Sequence, residues 1–146
     1  MRISLRLWLR LLSLVFLPLS HASAQAEAFP DFEVVGSELG VTALSPTQVR
    51  DIFRGERALW STGTAVTVVL PSGRSPYVDS FAQRVLGMRR EMMQRYWIGL
   101  VFQGRATPPV NLPTAAEVIA YVERTPGAIA MVPQGTAPRA LVVPVR

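Results

Sequence analysis

Residues 65–76 read Ala-Val-Thr-Val-Val-Leu-Pro-Ser-Gly-Arg-Ser-Pro. The first half is a β-branched apolar run, which is typical of a strand buried on both faces. Ser75 and Pro76 have the form of a helix N-cap followed by a proline at the first helical position, and Gly87 has the form of a helix end. Apolar residues recur between them at helical spacing, at Val78, Phe81, Ala82 and Val85. The stretch therefore predicts a buried strand, a short loop and an amphipathic helix.

Similar signals divide the rest of the chain. Ser45-Pro46-Thr47-Gln48 and Thr114-Ala115-Ala116-Glu117 are capping-box patterns, and each predicts a helix start. A further helix is predicted around residues 93–101, and a proline-rich loop follows it over 105–113. Strands are predicted over 32–35, 65–70 and 128–132, with an edge strand over 140–145. The order β-α-β-α-α-α-β-β predicts an open α/β sheet with helices on both faces, and Trp60 and Trp97 are predicted to lie in its core.

Residues 1–24 have the pattern of an export signal. Three arginines precede the short apolar run 11–17, and Ala22-Ser23-Ala24 is a small-x-small cleavage site. We therefore expect a cleaved signal peptide over 1–24, export by the general route to the periplasm, and one mature domain over 25–146; an uncleaved membrane anchor is the alternative. Twelve arginines against ten acids leave that mature domain a net charge of only +2.

Composition excludes several kinds of chemistry. The chain has no cysteine, its one histidine is His21 within the signal, and all 15 basic residues are arginine. A mature domain without histidine or cysteine cannot run Ser-His or Cys-His catalysis, and neither a metal site nor a cofactor is indicated. No arginine cluster is interleaved with aromatic residues, so nucleic acid is not an expected partner. Enzymatic chemistry by carboxylates alone stays open as a weaker alternative, because the acids are scattered along the chain.

The loop after the buried strand is the candidate binding site. Ser72, Gly73, Arg74 and Ser75 bring together two hydroxyls, a permissive glycine, a guanidinium and a helix N-terminus, which together suit a tetrahedral oxyanion. The same residues also suit an ordinary strand-to-helix turn, in which Ser75 caps the helix and Arg74 is solvated.

Several segments resemble a known family. Residues 44–55 (Leu-Ser-Pro-Thr-Gln-Val-Arg-Asp-Ile-Phe-Arg-Gly), Trp60, Gly63-Thr64, Phe81 and residues 125–132 (Thr-Pro-Gly-Ala-Ile-Ala-Met-Val) are similar to the phosphate-binding proteins of bacterial ABC phosphate importers. The resemblance covers about residues 36–145 and implies a single lobe of a periplasmic-binding-protein-like fold. Members of the family have two such lobes, which close over phosphate.

The resemblance also implies a function and a partner. Aligned through Phe81, Ser75 matches the family's anion-binding serine, while Pro76 and Tyr77 replace its glycine and threonine. The anion site implied here is Ser72, Gly73, Arg74 and Ser75, with Tyr77 at its rim. We therefore expect a non-catalytic lobe that binds phosphate or a similar small oxyanion beside a membrane permease or sensor. A sensory or adaptor lobe without a ligand is the alternative.

Overall fold

The computed structural model describes residues 28–146, and the predicted signal over 1–24 lies outside the described residues. The described residues form a four-stranded sheet in the order β1-β4-β2-β3. The strands are β1 (Phe32–Gly36), β2 (Thr67–Pro71), β3 (Val110–Leu112) and β4 (Ala128–Pro133). β4 pairs in parallel with β2 and antiparallel with β1, and β2 pairs in parallel with β3. The carboxyl ends of β2, β3 and β4 therefore lie at one edge of the sheet.

The helices are α1 (Pro46–Phe53), α2 (Val78–Leu86), α3 (Arg90–Phe102) and α4 (Ala115–Glu123), and a 3₁₀ turn spans Arg139–Leu141. The capping box of α1 is confirmed: the Gln48 amide N–H donates to the Ser45 hydroxyl at 3.2 Å, and the Ser45 amide N–H donates to Gln48 Oε1 at 2.8 Å. At the start of α4 the Glu117 amide N–H donates to the Thr114 hydroxyl at 3.2 Å. Both predicted helix starts are correct because they depend on contacts three residues apart.

The core has two layers, one on each face of the sheet. Val68 and Leu70 point into the larger layer under α1, α2 and α3, and Val69 between them points to the smaller layer under α4. Trp60 and Trp97 belong to the larger layer, where they are 2% and 5% exposed. The prediction of helices on both faces, and of both tryptophans in the core, is therefore confirmed.

Three local predictions were wrong. β3 lies inside the segment predicted as a loop over 105–113, because it forms only by pairing with β2. The segment 140–145 is not an edge strand: it holds part of the 3₁₀ turn and touches the sheet through the isolated bridge between Val35 and Val142. Ser75 does not cap α2, which begins at Val78 after Tyr77 and has no side-chain cap. The Ser75 side chain is buried, and its hydroxyl oxygen has no hydrogen-bond partner among the described residues.

Within residues 28–146, no helix combines the length and the apolar character that a bilayer crossing requires.

Candidate functional site

The chain reverses its winding direction between β2 and β3. The loop after β2 leads to α2 in the larger core layer, whereas the loop after the neighbouring parallel strand β3 leads to α4 on the opposite face. The two loops therefore diverge at the carboxyl edge of the sheet and leave a crevice between them. Such a switch point is where open α/β sheets usually bind ligands.

The β2–α2 loop, residues 72–77, forms one wall of this crevice. The Ser72 amide N–H donates to the Leu112 carbonyl at 2.9 Å, which fixes the loop to the end of β3. The Ser75 amide N–H donates to the Ser72 carbonyl at 2.9 Å, and the Arg74 amide N–H donates to the Ser72 hydroxyl at 3.3 Å. Ser72 is half-buried, and Gly73 and Arg74 are exposed. The loop thus presents three of the five predicted site residues to solvent.

The other two predicted site residues, Ser75 and Tyr77, face the core. They are 5% and 8% exposed, and neither hydroxyl oxygen has a hydrogen-bond partner among the described residues. The Tyr77 ring lies 6.1 Å from the Phe32 ring. Burial raises the pKa of Tyr77 above its ordinary value, and the nearby Ser75 hydroxyl offsets part of that rise. Tyr77 is therefore a neutral hydroxyl at physiological pH, and it does not stand at the rim of the crevice.

The first turn of α2 also carries an acid. Asp79 lies in that turn, and its Oδ1 atom is 3.6 Å from Nε of Arg90 at the start of α3. The Asp79 carboxylate lowers the positive potential at the N-terminus of α2, and the Arg90 guanidinium compensates part of that negative charge. An anion at this loop would consequently depend more on Arg74 and on the loop amides than on the helix end.

A second surface feature is an open apolar groove of about 470 Å³ between α3 and the segment 108–111. One end of the groove is formed by Ser72 and Gly73, so the groove begins beside the candidate loop. A Cβ atom added at Gly73 would lie 3.3 Å from Nε2 of Gln94, which places the Gln94 amide next to the loop backbone. The sequence signal for this groove is that residues 90–102 carry apolar side chains beyond one helical face; among them Ile98 and Phe102 are 58% and 88% exposed in the structure.

Across residues 28–146, no group of three or more histidine, cysteine, aspartate or glutamate side chains is placed to hold a metal ion.

Comparison with known proteins gives matches among solved structures. The fold is similar to an ABC-type phosphate transport receptor from Vibrio cholerae, with a TM-score of 0.60, 14% identity, and coverage of 79% of this chain and 46% of that chain. It is also similar to PstS from Borrelia burgdorferi, with a TM-score of 0.59, 14% identity, and coverage of 80% and 47%. A further match is a protein described as a phosphate ABC transporter substrate-binding protein, with bound phosphate, from Clostridium perfringens (TM-score 0.58, 17% identity, coverage 80% and 44%). No family model and no curated protein matches the sequence.

These matches define the fold. The chain has the architecture of a single periplasmic-binding-protein-like lobe, as the resemblance implied. It spans just under half the length of the structures it matches. The matched proteins are described as transport receptors and substrate-binding proteins, so the fold is one found in solute binding.

Proposed function

We propose that this chain is a non-catalytic solute-binding lobe that binds phosphate or a similar small oxyanion at residues 72–74. The observation that carries the proposal is the position of Ser72, Gly73 and Arg74, which are presented together at the switch point of the sheet. The similarity of the fold to phosphate receptors supports the choice of ligand. With the export pattern of residues 1–24, the proposed setting is the periplasm, beside a membrane permease or sensor.

The chemistry of the loop suits a weakly held anion. Arg74 supplies a guanidinium that can form two parallel hydrogen bonds to an oxyanion, and Gly73 leaves its backbone amide open to close approach. The described ion pairs involve Arg84 and Arg90, so Arg74 is not neutralised by an acid in this part of the chain. A single open wall of this kind leaves the ligand largely hydrated. We expect a Kd in the high-micromolar to millimolar range, about −4 to −6 kcal/mol.

The test is a titration of the exported protein with phosphate and with sulfate, followed through backbone amide chemical shifts. We expect saturable shifts centred on Gly73 and Arg74, and their loss in Arg74→Ala. Arg124→Ala is the matched control, because Arg124 is an exposed arginine at the far end of α4 and stacks over Tyr121 at 5.9 Å. Unchanged binding in Arg74→Ala would place the site elsewhere.

A second candidate function is an adaptor or sensory lobe that has no ligand. It is favoured by the burial of the Ser75 and Tyr77 hydroxyls, which removes two expected ligand groups from solvent. It is also favoured by exposed apolar side chains on α3, since Ile98 is 58% and Phe102 88% exposed. The absence of any shift with phosphate or sulfate at several millimolar would support the adaptor function over oxyanion binding.

A further inference from the structure

The groove beside α3 has the size and lining of a small-molecule site. Its volume of about 470 Å³ is within the range of pockets that hold drug-sized ligands. Trp97, Ile98 and Phe102 of α3 form one side, and Pro108 and Pro109 form the other. Ile98 and Phe102 are mostly exposed, so this apolar surface is open to water. An occupant that covered it would gain hydrophobic free energy in proportion to the area buried.

A smaller cavity of about 100 Å³ adjoins the groove and is positively charged. Arg57 and Arg105 both line it, together with Thr67 and Thr107, and no acidic residue does. The neighbouring acid Glu56 is exposed and is not part of the lining. This cavity lies at the amino end of β2, where Thr67 begins the strand, and is therefore at the edge of the sheet opposite the loop 72–74.

The two arginines have no acidic partner within residues 28–146. Arg105 donates to Gln103 Oε1 at 3.4 Å, and the Arg57 guanidinium lies over the Trp60 ring at 5.5 Å from its centroid. The ion pairs of that part of the chain involve other arginines. Both side chains line the cavity and no carboxylate does, so an anion placed there would be attracted by two arginines that have no acidic partner.

Trp97 and Pro108 line both the groove and the charged cavity, so the two spaces meet at these residues. The indole N–H of Trp97 is buried and has no acceptor among the described residues. That N–H is closed off from the surface and adds nothing to binding, so what the two spaces lack is an apolar cover along the groove and an anion at the charged end. An occupant with an apolar body and a single anionic end supplies what both spaces lack.

We propose that this surface binds an amphipathic anion, an alkyl or aryl chain ended by one carboxylate. The carboxylate lies at Arg57 and Arg105, and the chain lies along the groove past Trp97 towards Phe102. The carboxylate end is at the edge of the sheet opposite residues 72–74, although the apolar groove itself reaches Ser72 and Gly73, so the two sites differ in where the anion is held. Neutral or cationic molecules of the same length would bury the same apolar area but leave the arginines unpaired.

The test is a titration of the exported protein with decanoate below its micelle concentration, followed by Trp fluorescence and amide chemical shifts. We expect saturable binding at a ratio of one to one, with shifts on α3 and around Arg105. Decyltrimethylammonium and decanol keep the ten-carbon chain and replace the carboxylate by a cationic or a neutral group. Acetate keeps the carboxylate without the chain. Decanoate should bind at least about tenfold more tightly than decyltrimethylammonium, with decanol between them and no saturation by acetate.

Two variants at exposed positions test the two halves of the site without disturbing the core. Arg105→Gln removes a positive charge, so it should weaken decanoate binding about tenfold and leave the affinity for decanol unchanged. Phe102→Ser removes apolar surface from the groove and should weaken the binding of both decanoate and decanol. Arg124→Gln is the control and should change neither affinity. The proposal is overturned if all three ten-carbon probes bind equally, or if Arg105→Gln leaves decanoate affinity unchanged. It is also overturned if sedimentation shows that the α3 face is covered by a second copy that decanoate does not displace.

Discussion

Replacing each buried tryptophan with phenylalanine separates packing from hydrogen bonding in the larger core layer. Trp60 and Trp97 are buried to almost the same degree, so shortening either one costs a similar packing term of about 1–2 kcal/mol. They differ in their indole N–H groups. That of Trp60 donates to the Gly127 carbonyl at 2.9 Å, and that of Trp97 has no acceptor among the described residues.

The expected costs follow from this difference. Trp60→Phe loses one hydrogen bond, worth about 1 kcal/mol, and the Gly127 carbonyl keeps its second donor, the Thr67 amide N–H at 3.1 Å. Trp60→Phe should therefore cost about 2–3 kcal/mol in unfolding free energy. Trp97→Phe removes an unsatisfied buried donor, which returns about 1–3 kcal/mol, so its net effect lies between a cost of about 1 kcal/mol and a gain of about 2 kcal/mol. Because the packing terms cancel, the expected gap between the two variants is about 2–4 kcal/mol.

Equilibrium urea unfolding followed by far-UV circular dichroism measures the gap, because this signal does not depend on the substituted indoles. Alanine variants remove the same indole N–H groups and create larger cavities, so each should cost more than its phenylalanine counterpart, with Trp60→Ala again the costlier of the two. Equal costs for the two phenylalanine variants would refute the reasoning, since they would show that the Trp97 N–H has a partner such as a buried water.

Four further outcomes are expected. Gly127→Ala should lower the unfolding free energy by more than about 2 kcal/mol, because φ at Gly127 is +81° and an added Cβ would meet a backbone carbonyl. Gly63 has a similar φ of +85° but lies in open space, so Gly63→Ala should cost only about 1 kcal/mol, and thermal melts compare the two. Ser45→Ala should lower the unfolding free energy by about 1 kcal/mol through loss of the capping box, and an unchanged urea midpoint would contradict this. Burial raises the pKa of Tyr77 in the folded state, so the contribution of the protonated Tyr77 to stability is complete below the ordinary tyrosine pKa and is lost as pH rises through the folded-state pKa. Tyr77→Phe should therefore reduce the fall in melting temperature that a series of melts shows above about pH 10. Intact-mass measurement of the exported protein should give a chain that begins at Gln25, and a mass that retains residues 1–24 would contradict the signal prediction.

Several predictions that depended on neighbours along the chain were confirmed, although the helix start predicted at Ser75 was not. The helix starts at Ser45 and Thr114 are set by hydrogen bonds three residues apart, and the end of α2 is set by the left-handed conformation of Gly87. The apolar period of α2 likewise showed which of its side chains are buried. Such signals are local in both sequence and space, so one sequence is enough to predict them.

Features that depended on distant partners were missed or misplaced. β3 is only three residues long, and it is a strand because β2, about 40 residues earlier, lies beside it. Ser75 has the local pattern of a helix cap, yet packing against the sheet buries its side chain and moves the helix start to Val78.

The candidate sites divide in the same way. The sequence alone determined that Ser72, Gly73 and Arg74 follow a buried strand, and a short loop keeps such neighbours together in any fold. Only the tertiary structure decided that Ser75 and Tyr77 face the core, because burial depends on the elements packed over the loop. It also brought Arg57 to Arg105, which lie far apart in the chain and line one cavity. The segment after Arg57 is bonded to the residues that lead into β2 (Val66 N–H to the Ala58 carbonyl, 2.9 Å), and β2 pairs with β3, which follows Arg105. A sequence pattern records spacing along the chain, whereas a binding surface is a matter of distance in space.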